Sequence, residues 1–300
     1  MEKHSAKRTL LIVLCCVLAV ALAAVLVITI VMDHLLDQIQ HPADTTLSSS
    51  EIEEILNANT IPGTTGLEVD PTFQTTEEAQ GEEQIRILLI GQVANSPDSW
   101  QKSEAMILCT LDTTAKTLTM TSFQRNAVVQ IPGYGSNQLN VAYSIGGMKL
   151  LNQCLEENFG VQVDGNVAVN FEGLINLVDM VGGISVHLTQ QEANYLNAHG
   201  NWGITNTGGW SLKAGENTLT GEQAMGYALM KEANQEVERT QRHRKVIAAL
   251  VEKAKALSAT ELYDFVEAGL GCVSTDMTND EILSYVAKLV PVLTELQLIG

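Results

Sequence analysis

The chain has 300 residues, of which 45% are hydrophobic, and a formal net charge of −18 at pH 7. This length accommodates one domain of roughly 150–250 residues with appendages. The charge argues against a nucleic-acid-binding protein, because such proteins present a basic face to the phosphate backbone. Residues 9–85 contain twelve Asp or Glu and no Lys or Arg, so much of the acidic excess precedes the predicted folded domain.

An apolar segment without charges runs from Thr9 to Met32. Its length is sufficient to cross a hydrocarbon core of about 30 Å. Three basic residues lie in residues 1–8, so the positive-inside rule predicts a cytoplasmic tail there and an extracellular location for everything after Met32. A cleaved signal peptide would have an apolar region of about 7–15 residues, so we favour an uncleaved signal anchor over residues 9–32.

Residues 33–83 are rich in Thr, Ser, Glu and Gln and contain three prolines. This composition buries too little apolar area to offset the entropy cost of ordering, so the segment is predicted to be a disordered acidic stalk. The folded domain is predicted to occupy residues 84–300.

Short apolar runs predict the strands of this domain. The predicted strands are Ile85–Gly91, Ala105–Asp112, Lys116–Phe123, Ala127–Ile131, Val163–Asn170 and Ile184–Leu188. The second and third are separated by a tight turn and are predicted to form a hairpin.

Helical spacing predicts helices over 138–158, before a capping Gly160, and over Phe171–Met180. Three capping boxes mark further helix starts: Thr220 with Gln223, Ser258 with Glu261, and Thr278 with Glu281. Strands alternate with helices, and helices then dominate. The pattern therefore predicts an α/β fold, a single domain with a mixed central sheet flanked by helices, preceded by one transmembrane helix.

Several enzyme classes lack their signatures in this chain. No GxSxG, HExxH or P-loop motif is present, which argues against serine hydrolases, zinc proteases and Walker-type nucleotide hydrolases. Cys109, Cys154 and Cys272 follow the apolar segment, and because their number is odd, no disulfide framework can be read from the count.

The helix predicted around Leu250 carries two arginines on its apolar face. Arg242 and Arg239 continue the stripe of Leu250, whereas Arg244 and Lys245 are expected to point elsewhere. A charge on the core side of a helix must be paired or must line a pocket. Two interpretations stay open, a salt bridge to a buried carboxylate and a pocket for a multiply charged anion.

Other charged residues are predicted to meet at one edge of the sheet. Arg125 follows the strand Lys116–Phe123, and ligands of α/β sheets often bind at such strand ends. The loop after Gly91 leads to Lys102 and Glu104. Glu104 is a candidate Mg²⁺ ligand, because one or two carboxylates together with substrate phosphates commonly hold this ion. The alternative for Glu104 is a solvated acid at the start of a strand.

The order of these segments resembles the LytR-CpsA-Psr (LCP) family of bacterial envelope proteins over residues 84–290. After the signal anchor, the resemblance is carried by ILLIG, IPGYGSNQLNVAYSIGG, VNFEGLINLVDMVGG, LTGEQAMGYA and ERTQRHRKVIAAL. It implies a phosphotransferase outside the membrane that moves a glycopolymer from a polyprenyl-pyrophosphate carrier to peptidoglycan, with Mg²⁺ at the pyrophosphate. The implied partners are the lipid-linked glycopolymer, peptidoglycan and the lipid bilayer, with no nucleic acid.

The resemblance also implies roles for individual residues. Arg125, Arg239 and Arg242 would hold the pyrophosphate as catalytic residues, and Glu104 would help to hold Mg²⁺. Substrate binding would further involve Lys102, Asn126, Lys231 and Gln241, which stand in or beside the family's charged elements.

The chain departs from the family pattern at several of these positions. Val93 stands where a carboxylate is usual, Glu104 and Lys102 replace Asp and Arg, and Asn126 replaces an acid. Lysine cannot reproduce the bidentate fork of arginine. Beside the transferase, two hypotheses remain: a protein that binds lipid-linked or glycan precursors without turnover, and a pyrophosphatase acting on the carrier.

Overall fold

The computed structural model describes residues 34–41, 47–59, 84–92, 103–199, 209–230 and 236–299. The predicted cytoplasmic tail and membrane span lie outside these ranges. Within them, no helix is both long enough and apolar enough to cross a membrane. The chain divides into the units Met1–Ile39 and Gln40–Gly300. In the first unit, residues 34–38 form a single helical turn followed by a reverse turn.

The strands of the second unit are β1 (Gln84–Gln92), β2 (Ser103–Asp112), β3 (Thr117–Phe123), β4 (Val128–Ile131), β5 (Gly135–Gln138), β6 (Gly165–Asn170), β7 (Ile184–Leu188), β8 (Gly215–Leu219), β9 (Val273–Thr275) and β10 (Gln297–Ile299). Six of them form a central sheet in the order β10-β3-β2-β1-β6-β9. β1 is parallel to β6 and β3 is parallel to β10, whereas the other neighbours are antiparallel. The predicted mixed sheet and the β2–β3 hairpin are therefore confirmed.

The helices are α1 (Ser49–Ala58), α2 (Leu139–Phe159), α3 (Phe171–Met180), α4 (Gln190–His199), α5 (Gly221–Ala228), α6 (Glu236–Lys255), α7 (Ala259–Leu270) and α8 (Asn279–Leu289), followed by a 3₁₀ helix over Val290–Glu295. All three predicted capping boxes are present, at the starts of α5, α7 and α8. α2 ends at Gly160, which has the left-handed φ of 65° that glycine tolerates best.

Helix α1 lies inside the segment predicted to be a disordered stalk. It begins with a capping box, in which the Ser48 hydroxyl accepts from the backbone N–H of Glu51 and the Glu51 carboxylate accepts from that of Ser48. Its apolar residues Ile52, Ile55 and Leu56 pack against the domain core. The prediction of disorder is therefore wrong for residues 49–58, because apolar side chains at helical spacing gain a core to bury against.

Two hydrophobic clusters place helices on both sides of the sheet. One joins Leu88 and Met106 of the sheet to Leu151 and Leu155 of α2. The other is built largely from α3, α4, α5, α6 and the β7–β8 hairpin, and is represented by Tyr227 and Val246. β4, which was predicted as a further strand, pairs with β5 in a separate two-stranded sheet.

Candidate functional site

Strand register brings three chain segments to one edge of the central sheet. Gly91 of β1 lies opposite Ala105 of β2, and Met106 of β2 lies opposite Phe123 of β3. Glu104 directly precedes Ala105, and Arg125 is two residues after Phe123. Both residues therefore lie at this edge. Helix α6 packs against β2 and β3. It therefore adds its own side chains to the same place.

A shared carboxylate oxygen joins the two arginines of this edge. Oε2 of Glu104 accepts a hydrogen bond from Nη1 of Arg125 at 2.6 Å and from Nη2 of Arg239 at 2.5 Å. The side chains of Glu104 and Arg239 are 17% and 6% exposed. One carboxylate cannot neutralise two guanidinium groups, so the cluster keeps a net positive charge. The salt-bridge interpretation of Arg239 is thus confirmed in this structure, within a site that still favours anions.

A small polar cleft opens beside this cluster. Its polar lining comprises Glu104, Arg125, Arg239, Ser122, Thr240 and His243. Guanidinium groups present a planar fork of N–H donors that matches phosphate oxygens. The polar cleft therefore has the charge and the donor geometry to bind a phosphate-bearing group.

A larger apolar cleft adjoins the polar one and has about 630 Å³ of empty space, part of which is open to solvent. Its apolar lining is Leu89, Ile90, Gly91, Ala105, Ile107, Val169, Phe171, Leu174, Met225, Ala228, Leu229, Val246 and Ile247. Glu104 and His243 line both clefts. A Cβ atom at Gly91 would lie 3.2 Å from that of Ala105, so the glycine allows β1 and β2 to pair here without crowding. The two clefts together suit a molecule with a charged head and an apolar tail.

Arg242 is buried on the inner face of α6, as the sequence predicted, but lines neither cleft. It is 3% exposed, and its Nη2 donates to the backbone carbonyl of Met230 at 3.1 Å. Its Nε has no hydrogen-bond partner among the described residues. The structure therefore does not bring Arg242 into contact with the pair formed by Arg125 and Arg239. Its guanidinium instead binds the backbone two residues after the end of α5.

The remaining predicted site residues fall into two groups. Asn126 and Gln241 are exposed and line neither the polar nor the apolar cleft. Lys102, Lys231 and Val93 lie outside the described residues. The substrate-binding roles of these residues remain predictions.

His243 was not singled out by the sequence, yet it stands at the junction of the two clefts. Its side chain is 8% exposed. Burial, followed by the positive charge of Arg239, lowers the pKa of His243 to about 3, and a hydrogen bond to the backbone of Ala228 opposes the shift. The imidazole is therefore neutral near pH 7. Its position four residues after Arg239, on the same helix face, is the signal that could have found it.

Arg244 differs from its prediction. Its Nη1 donates to Oγ of Ser122 at 2.8 Å, and Ser122 lines the polar cleft. Arg244 therefore lies at the rim of the site, because its long side chain reaches the end of β3 from the flank of α6. Lys245 is exposed, as expected.

The described residues do not form a ready-made Mg²⁺ site. Among them, no three His, Cys, Asp or Glu side chains are grouped so that they could hold a metal ion. Of the described residues, Glu104 is the one carboxylate that lines the polar cleft, and two guanidinium groups already bond one of its oxygens. Arg125 and Arg239 supply positive charge to this part of the site.

The chain is thus an α/β protein with a cationic cleft beside an apolar one, and its sequence matches a known family. The model of the LytR_cpsA_psr family covers residues 36–295. Biofilm regulatory protein A of Streptococcus mutans is 32% identical over 68% of this chain and 52% of that protein. The polyisoprenyl-teichoic acid–peptidoglycan teichoic acid transferase TagT of Bacillus subtilis is 29% identical over 64% of this chain and 59% of TagT.

A solved structure of TagT with bound octaprenyl pyrophosphate lipid has the same fold. The TM-score is 0.55 at 23% identity, over 79% of this chain and 83% of the TagT chain. The chain belongs to the LytR-CpsA-Psr family. It spans between half and three fifths of the length of the two relatives named above.

Proposed function

We propose that this protein is a membrane-anchored phosphotransferase that moves a glycopolymer from a polyprenyl-pyrophosphate carrier to peptidoglycan during cell wall assembly. The observation that carries the proposal is the meeting of the apolar cleft with the arginine pair at Glu104 and His243. A polyprenyl pyrophosphate has the same division into an apolar tail and a charged head. TagT, a relative with the same fold, binds octaprenyl pyrophosphate, which supports this ligand class.

The polar cleft would hold the pyrophosphate through Arg125 and Arg239. Both guanidinium groups already bond an anionic oxygen, that of Glu104, at 2.6 and 2.5 Å. Phosphate oxygens are suitable replacements, because arginine bonds them bidentately. Lys102 and Lys231 are proposed to add charge from the flanking segments.

The apolar cleft would hold the first units of the polyprenyl tail. Burial of apolar surface contributes roughly 0.8 kcal/mol per CH₂ group. A cleft with this apolar lining therefore adds binding free energy that a free sugar phosphate cannot obtain. This difference would select a lipid-linked donor over a soluble one.

In the transfer, a hydroxyl oxygen of peptidoglycan would attack the phosphorus atom that carries the glycopolymer. The bond from that phosphorus to the bridging oxygen breaks, polyprenyl phosphate leaves, and the hydroxyl proton passes to solvent. Charge in such a reaction is spread over the phosphoryl oxygens, so positioning and positive charge supply most of the catalysis. Arg125 and Arg239 are the residues proposed to provide both.

The proposed location is the cell membrane, with a single span over residues 9–32, a cytoplasmic N-terminus and an extracellular domain. The apolar length of this segment and the basic residues ahead of it support that orientation. The domain would then face peptidoglycan, its proposed acceptor.

Mg²⁺ remains a prediction, and no step above uses it. Glu104 could supply one carboxylate oxygen to an ion that is also held by substrate phosphates. The hydrogen bonds of Glu104 to the two arginines argue against a site formed in advance.

One observation favours the binding protein as a second candidate. Arg242, expected to contact the pyrophosphate, is instead bonded to the carbonyl of Met230. A cleft with two arginines rather than three suits binding better than phosphoryl transfer.

The test uses the full-length chain in detergent, peptidoglycan, and a polyprenyl-pyrophosphate-linked glycopolymer labelled in its sugar. Label that becomes covalently attached to peptidoglycan, together with release of polyprenyl phosphate, supports the transferase. Binding of the donor without either product contradicts the transferase and supports the second candidate. Release of the carrier without attachment of the label identifies a hydrolase. Arg125→Ala should remove the activity, whereas Lys245→Ala on the exposed side of α6 should retain it.

A further inference from the structure

His243 is a buried titratable group at the meeting point of the two clefts. It shares the lining of the polar cleft with Arg125 and Arg239, and that of the apolar cleft with Val246 and Leu229. No other histidine lines either cleft in the described part of the chain. A head group in the polar cleft and a tail in the apolar one would both lie beside this imidazole.

Three guanidinium groups act on His243 electrostatically. Arg239 and Arg242 come from its own helix α6, and Arg125 comes from the segment after β3. Glu104 of β2 shares the lining of both clefts with His243. From α5, the backbone of Ala228 accepts a hydrogen bond from the ring. Burial, and the excess of positive charge from three guanidinium groups and one carboxylate, keep the imidazole neutral while the cleft holds no anion.

A bound pyrophosphate would reverse this balance. It places several negative charges in the polar cleft, and an opposite charge within about 4–6 Å favours the protonated form of an imidazole. A second ring N–H would then be available to donate to a phosphate oxygen, alongside the bond to Ala228.

We propose that His243 takes up a proton from solvent when the polyprenyl pyrophosphate binds, and so becomes an additional cation of the occupied site. No covalent bond changes in this step: one ring nitrogen gains the proton, and the buffer loses it. The inference rests on the proposed function, because it needs a pyrophosphate in the polar cleft.

The pH dependence of affinity follows from this proton. The pKa of His243 is low in the empty site and would be higher in the occupied one. Binding is therefore coupled to proton uptake at any pH between these two pKa values. Within that window the affinity falls by up to about tenfold per unit rise in pH. At a pH above the pKa of His243 in the occupied site, this contribution to affinity is lost.

The experiment measures binding of geranyl pyrophosphate, a short soluble carrier analogue, to the full-length chain in detergent. Titration calorimetry near pH 6 and pH 7 in two buffers of different ionisation enthalpy gives the number of protons taken up. His243→Gln keeps a side chain that can form hydrogen bonds but cannot titrate. Proton uptake measured with this variant therefore comes from the ligand and from other groups, and not from His243. His187→Gln, at an exposed histidine of β7, is the matched control.

We expect the wild type and His187→Gln to take up more protons than His243→Gln, and we expect this excess to be larger near pH 6 than near pH 7. Equal proton uptake by all three proteins, with binding intact, would overturn the inference and leave the proposed function standing. Absence of geranyl pyrophosphate binding to the wild type would contradict both. If His243→Gln does not fold, ¹⁵N NMR of histidine in the wild type decides: a signal that changes from neutral to protonated on titration supports the inference, and an unchanged neutral ring contradicts it.

Discussion

Glu104 and Arg239 lie 135 positions apart in the sequence and are joined by a hydrogen bond of 2.5 Å between Oε2 and Nη2. The same oxygen accepts from Arg125 at 2.6 Å. A single anionic oxygen thus fixes two guanidinium groups side by side at the end of the sheet. The bond connects β2 to α6, so it contributes both to the fold and to the charge of the polar cleft.

Arg239→Met should weaken binding of geranyl pyrophosphate by roughly ten- to a hundredfold, because it removes a charge-assisted contact worth about 1.5–3 kcal/mol. It should also lower the free energy of unfolding by about 1–3 kcal/mol, since Glu104 loses one of its two partners in a largely buried place. Calorimetric titration and urea unfolding of the full-length chain measure the two effects.

Lys245→Met is the matched control for Arg239→Met, because Lys245 is an exposed cation on the same helix. It should change neither quantity by more than the error of measurement. A loss of affinity in the control as large as that in Arg239→Met would mean that general positive charge, rather than the cleft, attracts the ligand.

Removal of divalent metal should leave binding of geranyl pyrophosphate within about threefold of its value with Mg²⁺. The physical reason is that Arg125 and Arg239 supply positive charge to the polar cleft, whereas Glu104 is the one carboxylate that lines it among the described residues. Titration in EDTA and in excess Mg²⁺ measures the ratio. A loss of affinity beyond tenfold in EDTA would support Glu104 as a metal ligand.

Local sequence signals predicted the fold well. Helix Phe171–Met180 and strand Ile184–Leu188 have their predicted bounds. The apolar spacing and the Gly182–Gly183 pair between them are local signals that set these bounds. The capping boxes were equally local. By contrast, β5 was missed because Gly135–Gln138 lacks an apolar alternation, although it pairs with the nearby β4. The packing of α1 depends on the domain core, which a local pattern does not specify.

The site could be predicted only in part for the same reason. The inward direction of Arg239 and Arg242 follows from helical periodicity and is confirmed by their burial. That Arg239 meets Glu104, whereas Arg242 meets the carbonyl of Met230, depends on how α6 lies over the sheet. Arg244 reaches Ser122 because a long side chain can bend around the helix, which periodicity does not describe.

Ile247→Trp should block the apolar cleft. Ile247 lines this cleft from α6, and a larger ring there would occupy volume that the tail needs. We expect a loss of at least about tenfold in affinity for geranyl pyrophosphate, corresponding to two or more displaced CH₂ groups, and less than twofold for inorganic pyrophosphate. Competition binding with both ligands checks this.

Val251→Trp, one turn further along α6 and outside both clefts, controls for the added ring at a half-buried position. If Ile247→Trp weakened both ligands equally, or if the control weakened geranyl pyrophosphate to the same extent, the tail would bind elsewhere.

The cap of α8 should make stability sensitive to acid. Backbone and side-chain hydrogen bonds from Thr278 lower the pKa of Glu281. The folded value therefore lies below the unfolded one, so this stabilisation is present above about pH 4.3 and is lost as the pH falls through the folded value. Glu281→Gln keeps a capping box without the charge, and its melting temperature should fall less between pH 7 and pH 3.

Glu238→Gln removes an exposed carboxylate of α6 and serves as the reference. A Glu281→Gln variant that loses as much stability in acid as wild type and Glu238→Gln would show that the α8 cap makes no measurable contribution to acid sensitivity.

We expect one ligand to span both clefts, with its pyrophosphate at the arginine pair and its tail under α6. Photocrosslinking with a geranyl pyrophosphate analogue that carries a photoreactive group on its tail, followed by peptide mapping, shows where the tail lies. Label should appear on residues of the apolar cleft such as Leu174 or Ile247, and it should be lost in Arg125→Ala and Arg239→Ala. Label outside the cleft, or cleft labelling that persists in both variants, would contradict this placement of the ligand.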